Sequence, residues 1–147
     1  MRKYKIHVIF ILLLIGVSSF VYQKELNWET LQYSLTYDWQ FDTKFGTWVK
    51  APTFDPSLKK MEGKEIQIKG YIVPINAYEG KFCVSKNPNS SCFFCGKAEK
   101  STIVVLNLKN KTDFEIDDFV MIKGNLRLNQ DTNEFPYNLD NAELAQE

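Results

Sequence analysis

Two segments of the 147-residue chain repeat one pattern: "IQIKGYIVPI" at 66–75 and "VMIKGNLRLN" at 120–129. Each reads as alternating apolar and polar residues, then Lys-Gly, then renewed alternation. Alternation with a period of two is the mark of a strand with one buried face. A glycine in the middle of such a strand marks a bulge or a sharp bend. In the first copy, Ile66 and Ile68 point to one side. A shift of phase at Gly70 would bring Tyr71, Val73 and Ile75 to that same side. Pro74 lacks an N–H to donate, so it marks the end or edge of the strand.

Two long strands bent at glycine are the device by which a small sheet curls and closes on itself. Three further strands are predicted at "KFCVS" (81–85), "STIVVLNLK" (101–109) and within "YNLDNAELA" (137–145). The expected fold is therefore mainly β, a small five-stranded OB-like Greek-key barrel over residues 63–147. An open meander of the same strands is the alternative. The barrel should be filled by Ile66, Ile68, Val73, Ile103, Val105, Val120, Ile122 and Leu126. Residues 110–118 occupy the place where such a barrel often carries a short helix.

Ahead of the barrel, residues 23–62 form an arm rich in aromatic side chains. Asn27 can cap a short amphipathic helix that places Leu26, Leu31, Leu35 and Trp39 on one side. Residues 37–63 read as loop, punctuated by Gly46, Pro52, Pro56 and Gly63. The expectation is that this loop wraps the barrel and buries its rings. Each fully buried large side chain would contribute about 1.5–3 kcal/mol. An aromatic ligand platform is the sharper alternative.

Residues 1–22 are of a different kind. Arg2, Lys3 and Lys5 precede an uncharged apolar run that ends where "YQKE" turns polar. This is the pattern of a signal peptide. The same run is nearly long enough for an uncleaved anchor, with residues 6–22 in the membrane and the positive end inside. On either reading the domain is exported, to the periplasm or the outer side of the cytoplasmic membrane. Removing residues 1–22 takes away three of eighteen basic residues and none of eighteen acidic ones, leaving a net charge of −3. Such a domain has no basic footprint for nucleic acid. The only histidine, His7, lies in the targeting segment, so no Ser-His or Cys-His catalytic pair can form in the exported part. No catalytic residue is assigned, and the chain reads as a binding protein in preference to an enzyme.

The chemistry-bearing motif is "NSSCFFCGKAEK" at 89–100, with Cys92 and Cys95 two residues apart and Gly96 following. It is half of a zinc knuckle, since tetrahedral zinc takes four ligands. Completing it would need Cys83 and a carboxylate, or two chains sharing one ion as a homodimer. Two thiolates alone suit Cu(I). In an oxidising compartment a Cys92–Cys95 disulfide pinning the loop is the equal alternative. A thiol-disulfide redox role would want a helix directly after the pair, and only a short charged stretch precedes the next strand. A structural subunit of a cell-envelope complex, with an envelope protein as partner, is a further alternative. The acidic residues Asp113, Glu115, Asp117 and Asp118 lack the order of a calcium loop and read as a solvated turn.

These segments together resemble a family of small exported bacterial proteins with no established activity. The resemblance rests on "WETLQYSLTYDW", "PTFDPSLKKMEGKEIQIKGYIVPI", "SKNPNSSCFFCGKA", "IKGNLRLN" and "YNLDNAEL". It implies an OB-like barrel outside the cytoplasm, often behind a lipoprotein signal. This chain lacks the cysteine such a signal requires. The resemblance also implies that Cys83 stands at a strand position that is apolar or aromatic in relatives.

Overall fold

The computed structural model describes residues 24–91 and 99–145. In chain order its elements are β1 (Lys24–Glu25), α1 (Trp28–Tyr33), β2 (Leu35–Asp42), β3 (Thr47–Phe54), α2 (Pro56–Lys59), β4 (Glu65–Asn76), β5 (Lys81–Ser85), β6 (Ile103–Leu108), β7 (Phe119–Leu128) and β8 (Tyr137–Leu144). Strands β4, β5, β6, β8 and β7 are hydrogen-bonded in that order, and β7 returns to β4. The sheet is thus a closed five-stranded barrel in which β6 and β8 are parallel and the other neighbours antiparallel. This is the expected OB-like form. The segment 109–118 contains no helix; instead Phe114 packs against the core and meets Phe82 edge-on, with ring centroids 5.5 Å apart.

Strand β4 makes closure possible by serving two neighbours. Its first half, Glu65 to Tyr71, pairs with β7, and its second half, from Tyr71 onward, pairs with β5. The expected shift of phase at Gly70 does not occur. Register against β7 is continuous from Glu65 to Tyr71, and Ile66, Ile68, Gly70 and Ile72 all face inward. Glycine is needed there for room: a Cβ at Gly70 would lie 2.5 Å from the Ser85 carbonyl oxygen, 2.9 Å from Val84 Cγ2 and 3.1 Å from Trp28 Cζ2. The register shift appears in the second Lys-Gly strand, where β7 slips against β8 between Lys123 and Asn125.

Of the eight expected core residues, Ile66, Ile68, Ile122 and Leu126 are buried in the barrel and Val120 packs against them half-buried. Val73, Ile103 and Val105 are corrections. Unbroken alternation through Gly70 puts Ile72 inside and Val73 outside. On β6 it is Val104 and Leu106 that enter the core. Val73 and Ile103 are still buried, in a second cluster on the outer face with Cys83, flanked by Ile75 and Phe135. Burial on both faces explains why "TIVVL" is apolar without alternation.

The arm departs most from expectation. Helix α1 is one and a half turns, capped by Asn27, whose Oδ1 accepts from Thr30 N at 2.7 Å. Residues 35–54 are a β-hairpin, where loop was expected after residue 37. Its turn is built by Asp42, whose Oδ1 accepts from Lys44 N and Phe45 N, and by Gly46 at φ 63°. Pro52 is accommodated because a two-stranded ribbon consists only of edges. Leu26, Leu31, Phe54, Leu58 and Met61 from the arm belong to the same buried cluster as the barrel interior, so arm and barrel share one core.

Gly70→Ala should therefore lower the urea midpoint. The expected loss is about 1–3 kcal/mol, the usual cost of overpacking a full site. Lys64→Ala, at an exposed position, should leave the midpoint unchanged. Equal midpoints for both variants would contradict the packing at Gly70.

Candidate functional site

The topology sorts the connections. At one end of the barrel β4, β6 and β8 begin while β5 and β7 finish. The arm, the β5–β6 loop that carries the cysteine motif, and the β7–β8 loop all meet there. The β4–β5 connection and the first part of the β6–β7 connection lie at the opposite end, whereas the last residues of the β6–β7 connection, Asp117 and Asp118, run against Ile72 and reach the β5–β6 loop.

The arm covers the first end. Leu26 N donates to Gln67 O at 2.7 Å, and Trp28 Nε1 donates to Lys69 O at 2.8 Å. The hydroxyl of Tyr137, at the start of β8, donates to Leu31 O at 2.7 Å, and its ring lies 5.8 Å from Phe54. At the base of the hairpin Asp55 N donates to Ser34 O at 2.9 Å. Burial holds the Tyr137 phenol above its ordinary range, with Tyr37 adding to the effect.

The cysteine loop is anchored at both roots. Lys86 N donates to Thr102 O at 3.0 Å, closing the loop's neck, and Lys86 Nζ reaches Gln32 Oε1 on α1 at 2.6 Å. Asn89 N donates to Asp117 Oδ1 at 2.6 Å. On the return, Thr102 Oγ1 donates to Glu99 O at 2.7 Å. Lys100 Nζ reaches the carbonyls of Thr132 and Glu134 at 3.3 Å each. Tyr37 is held above its ordinary pKa first by burial and then by the nearby negative charge of Glu99. The expected solvated acidic turn is thus put to use. Asp117, at φ 68°, holds the loop, and Asp117 N and Asp118 O pair with Ile72 at 2.9 and 2.8 Å.

Cys92 and Cys95 lie outside the described residues. Cys83 is fully buried on the outer face of β5, and its Sγ donates to Val73 O at 3.3 Å. Among the described residues no three or more of His, Cys, Asp and Glu come together to hold a metal ion. Nor is any described helix long and apolar enough to cross a membrane; residues 1–22 lie outside the described part. At the far end, an open cleft of about 730 Å³ lies between the β4–β5 and β6–β7 connections. Tyr78, Lys81, Lys109 and Phe114 contribute to its walls.

The hairpin shows what sequence reasoning missed. Its register places Leu35 against Phe54, Tyr37 against Pro52, Trp39 against Lys50 and Phe41 against Trp48, all on one face. The opposite face carries Thr36, Asp38, Gln40, Asp42, Thr47, Val49, Ala51 and Thr53. Leu35 and Phe54 bury themselves on the barrel, but Trp39 is 63% exposed, Phe41 52%, Phe45 66% and Trp48 62%. The expectation that the arm buries its rings therefore holds only at its base. The available signal was the alternation of Tyr37, Trp39 and Phe41 ahead of the Asp42–Gly46 turn.

Comparison with protein-family models, with curated proteins and with solved structures yields no match.

Tyr137 is the joint between arm and barrel, and alkaline pH tests it. A phenol whose folded pKa exceeds its unfolded value of about 10 contributes its stability fully below that value. The contribution is lost as pH rises through the folded pKa. Tyr137→Phe should cost about 1–3 kcal/mol at neutral pH, because it leaves the Leu31 carbonyl buried without its partner. It should also flatten the fall in urea midpoint expected of the parent above pH 10. A variant that matches the parent at both pH values would contradict this joint.

Proposed function

We propose that the chain is a non-enzymatic binding module, exported and held at the outer side of the cytoplasmic membrane, whose cysteine loop captures a soft metal ion. The observation that carries this reading is the anchoring of that loop. Both its roots are tied, by side chains of the arm and of the β6–β7 turn and by backbone carbonyls of the β7–β8 loop, at the arm-covered end of a closed barrel. A rigid scaffold that holds a short loop is the usual way a protein presents binding groups. The donor set agrees with a soft ion: Cys92 and Cys95 stand two residues apart in sequence, with Gly96 following, as in half of a metal knuckle. Two donors from one chain suit Cu(I). Zinc, which takes four, would draw Cys92 and Cys95 from each of two chains. The targeting segment supports export, and its basic head followed by an apolar run supports residues 6–22 as an anchor.

Native mass spectrometry of the full chain in detergent, prepared without chelator and offered zinc or Cu(I) under mild reductant, tests the reading. The expected result is one metal per chain, or one per dimer, lost in Cys92→Ser. A chain lighter by two hydrogens that keeps this mass under the reductant and takes up no metal would replace the metal site with a disulfide clasp.

A further inference from the structure

The aromatic face of the β2–β3 hairpin is the largest feature that the binding loop does not explain. Near the barrel this face is core, at Leu35 and Phe54; beyond it, Trp39, Phe41 and Trp48 continue the same stripe without cover, and Phe45 extends it at the turn. Clustered exposed rings of this kind mark an interaction surface. Their chemistry narrows the partner. Lys50 Nζ lies 5.5 Å from the Trp39 ring and Lys44 Nζ 5.1 Å from the Phe45 ring, while Asp38 and Asp42 stand on the opposite face. Tryptophan flanked by lysine is the composition found at the membrane–water boundary, where rings sit among headgroups and ammonium groups reach the phosphates.

Chain length adds an independent constraint. The apolar run ends at Val21, and Lys24 is already paired with Ile66 at the start of β4. Three residues span at most about 10 Å when extended. With residues 6–22 in the bilayer, the start of β4 cannot stand further than that from its surface. The hairpin enters the barrel at this same end, where Asp55 and α2 lead from β3 into β4. We propose that the aromatic face of the hairpin lies in the headgroup region of the lipid bilayer, as a second contact that fixes the orientation of the barrel over the membrane. The proposal rests on residues 6–22 being retained as an anchor. Depth is limited by the backbone: a two-stranded ribbon has outward N–H and C=O groups that need water, so it lies among the headgroups and not in the hydrocarbon.

The test is flotation and fluorescence of the full chain in vesicles of phosphatidylcholine and phosphatidylglycerol. Brominated lipids serve as quenchers from the membrane side and iodide from the aqueous side. Two of the three tryptophans, Trp39 and Trp48, are in the hairpin, and Trp28 is half-buried on the barrel. The expected result is flotation, loss of emission with bromine placed high on the acyl chain, a smaller loss with bromine near its end, and no such loss in the Trp39→Leu/Trp48→Leu variant. Flotation with emission quenched by iodide and untouched by bromine would put the hairpin in water; this overturns the proposal and leaves the anchor standing. Flotation with shielding from both quenchers would mean that protein, such as a second copy of the chain, covers the face, and overturns it equally. Failure to float would remove the anchor and the proposal together.

Discussion

Closure of the barrel depends on one strand bonding to two neighbours, and that strand can do so because position 70 has no side chain. At Tyr71, the residue after Gly70, β4 passes from its pairing with β7 to its pairing with β5. The carbonyl of Ser85 and the ring of Trp28 press onto the space a Cβ would need. Ser85 is the last residue before the cysteine loop, and Trp28 opens the helix of the arm. Three parts of the molecule therefore meet at one glycine: the barrel seam, the root of the loop and the covering arm. Interiors are packed as densely as organic crystals, so a displacement of one part is felt by the others.

This arrangement gives the two ends of the barrel different characters. The far end is stoppered by Phe114 from an irregular connection, in the place where a helix was expected. The near end gathers the arm, the loop with Cys92 and Cys95, and the entry of the chain from its apolar N-terminal run. The side chains that tie these together are polar and specific: Lys86 to Gln32, Asp117 to Asn89, Tyr137 to Leu31 and Lys100 to the β7–β8 loop. Of these only the Tyr137 bond is buried; such a contact adds little net stability but is costly to break on one side only, so it favours one arrangement over its competitors.

The barrel was legible because its strands alternate and its glycines stand at matching positions in "IQIKGYIVPI" and "VMIKGNLRLN". The side on which particular residues fall was less so. The glycine at position 70 reads in sequence as a shift of phase, whereas it is there to make room for the Ser85 carbonyl, a distant residue that leaves no local pattern. Val73 and Ile103 were assigned to the barrel core because apolar residues on a covered outer face look the same in sequence as those inside. The hairpin was obscured by Pro52 and by glycine and proline density that usually marks loops, although its alternation was present. The cysteine motif was legible in the sequence, but not what holds the roots of its loop or joins arm to barrel. Gln32 and Asp117 lie 54 and 28 residues from their partners in the loop, and Tyr137 lies 106 from Leu31; such pairings leave no local pattern.

Native-state hydrogen exchange of the full chain tests most directly whether arm and barrel are one cooperative unit. Amides of the arm that are bonded at the near end, Leu26 to Gln67 and Asp55 to Ser34, should exchange with the slow class that contains β4 and β7. Fast exchange at Leu26 and Asp55, with β4 and β7 still protected, would make the arm a loose attachment and contradict the account.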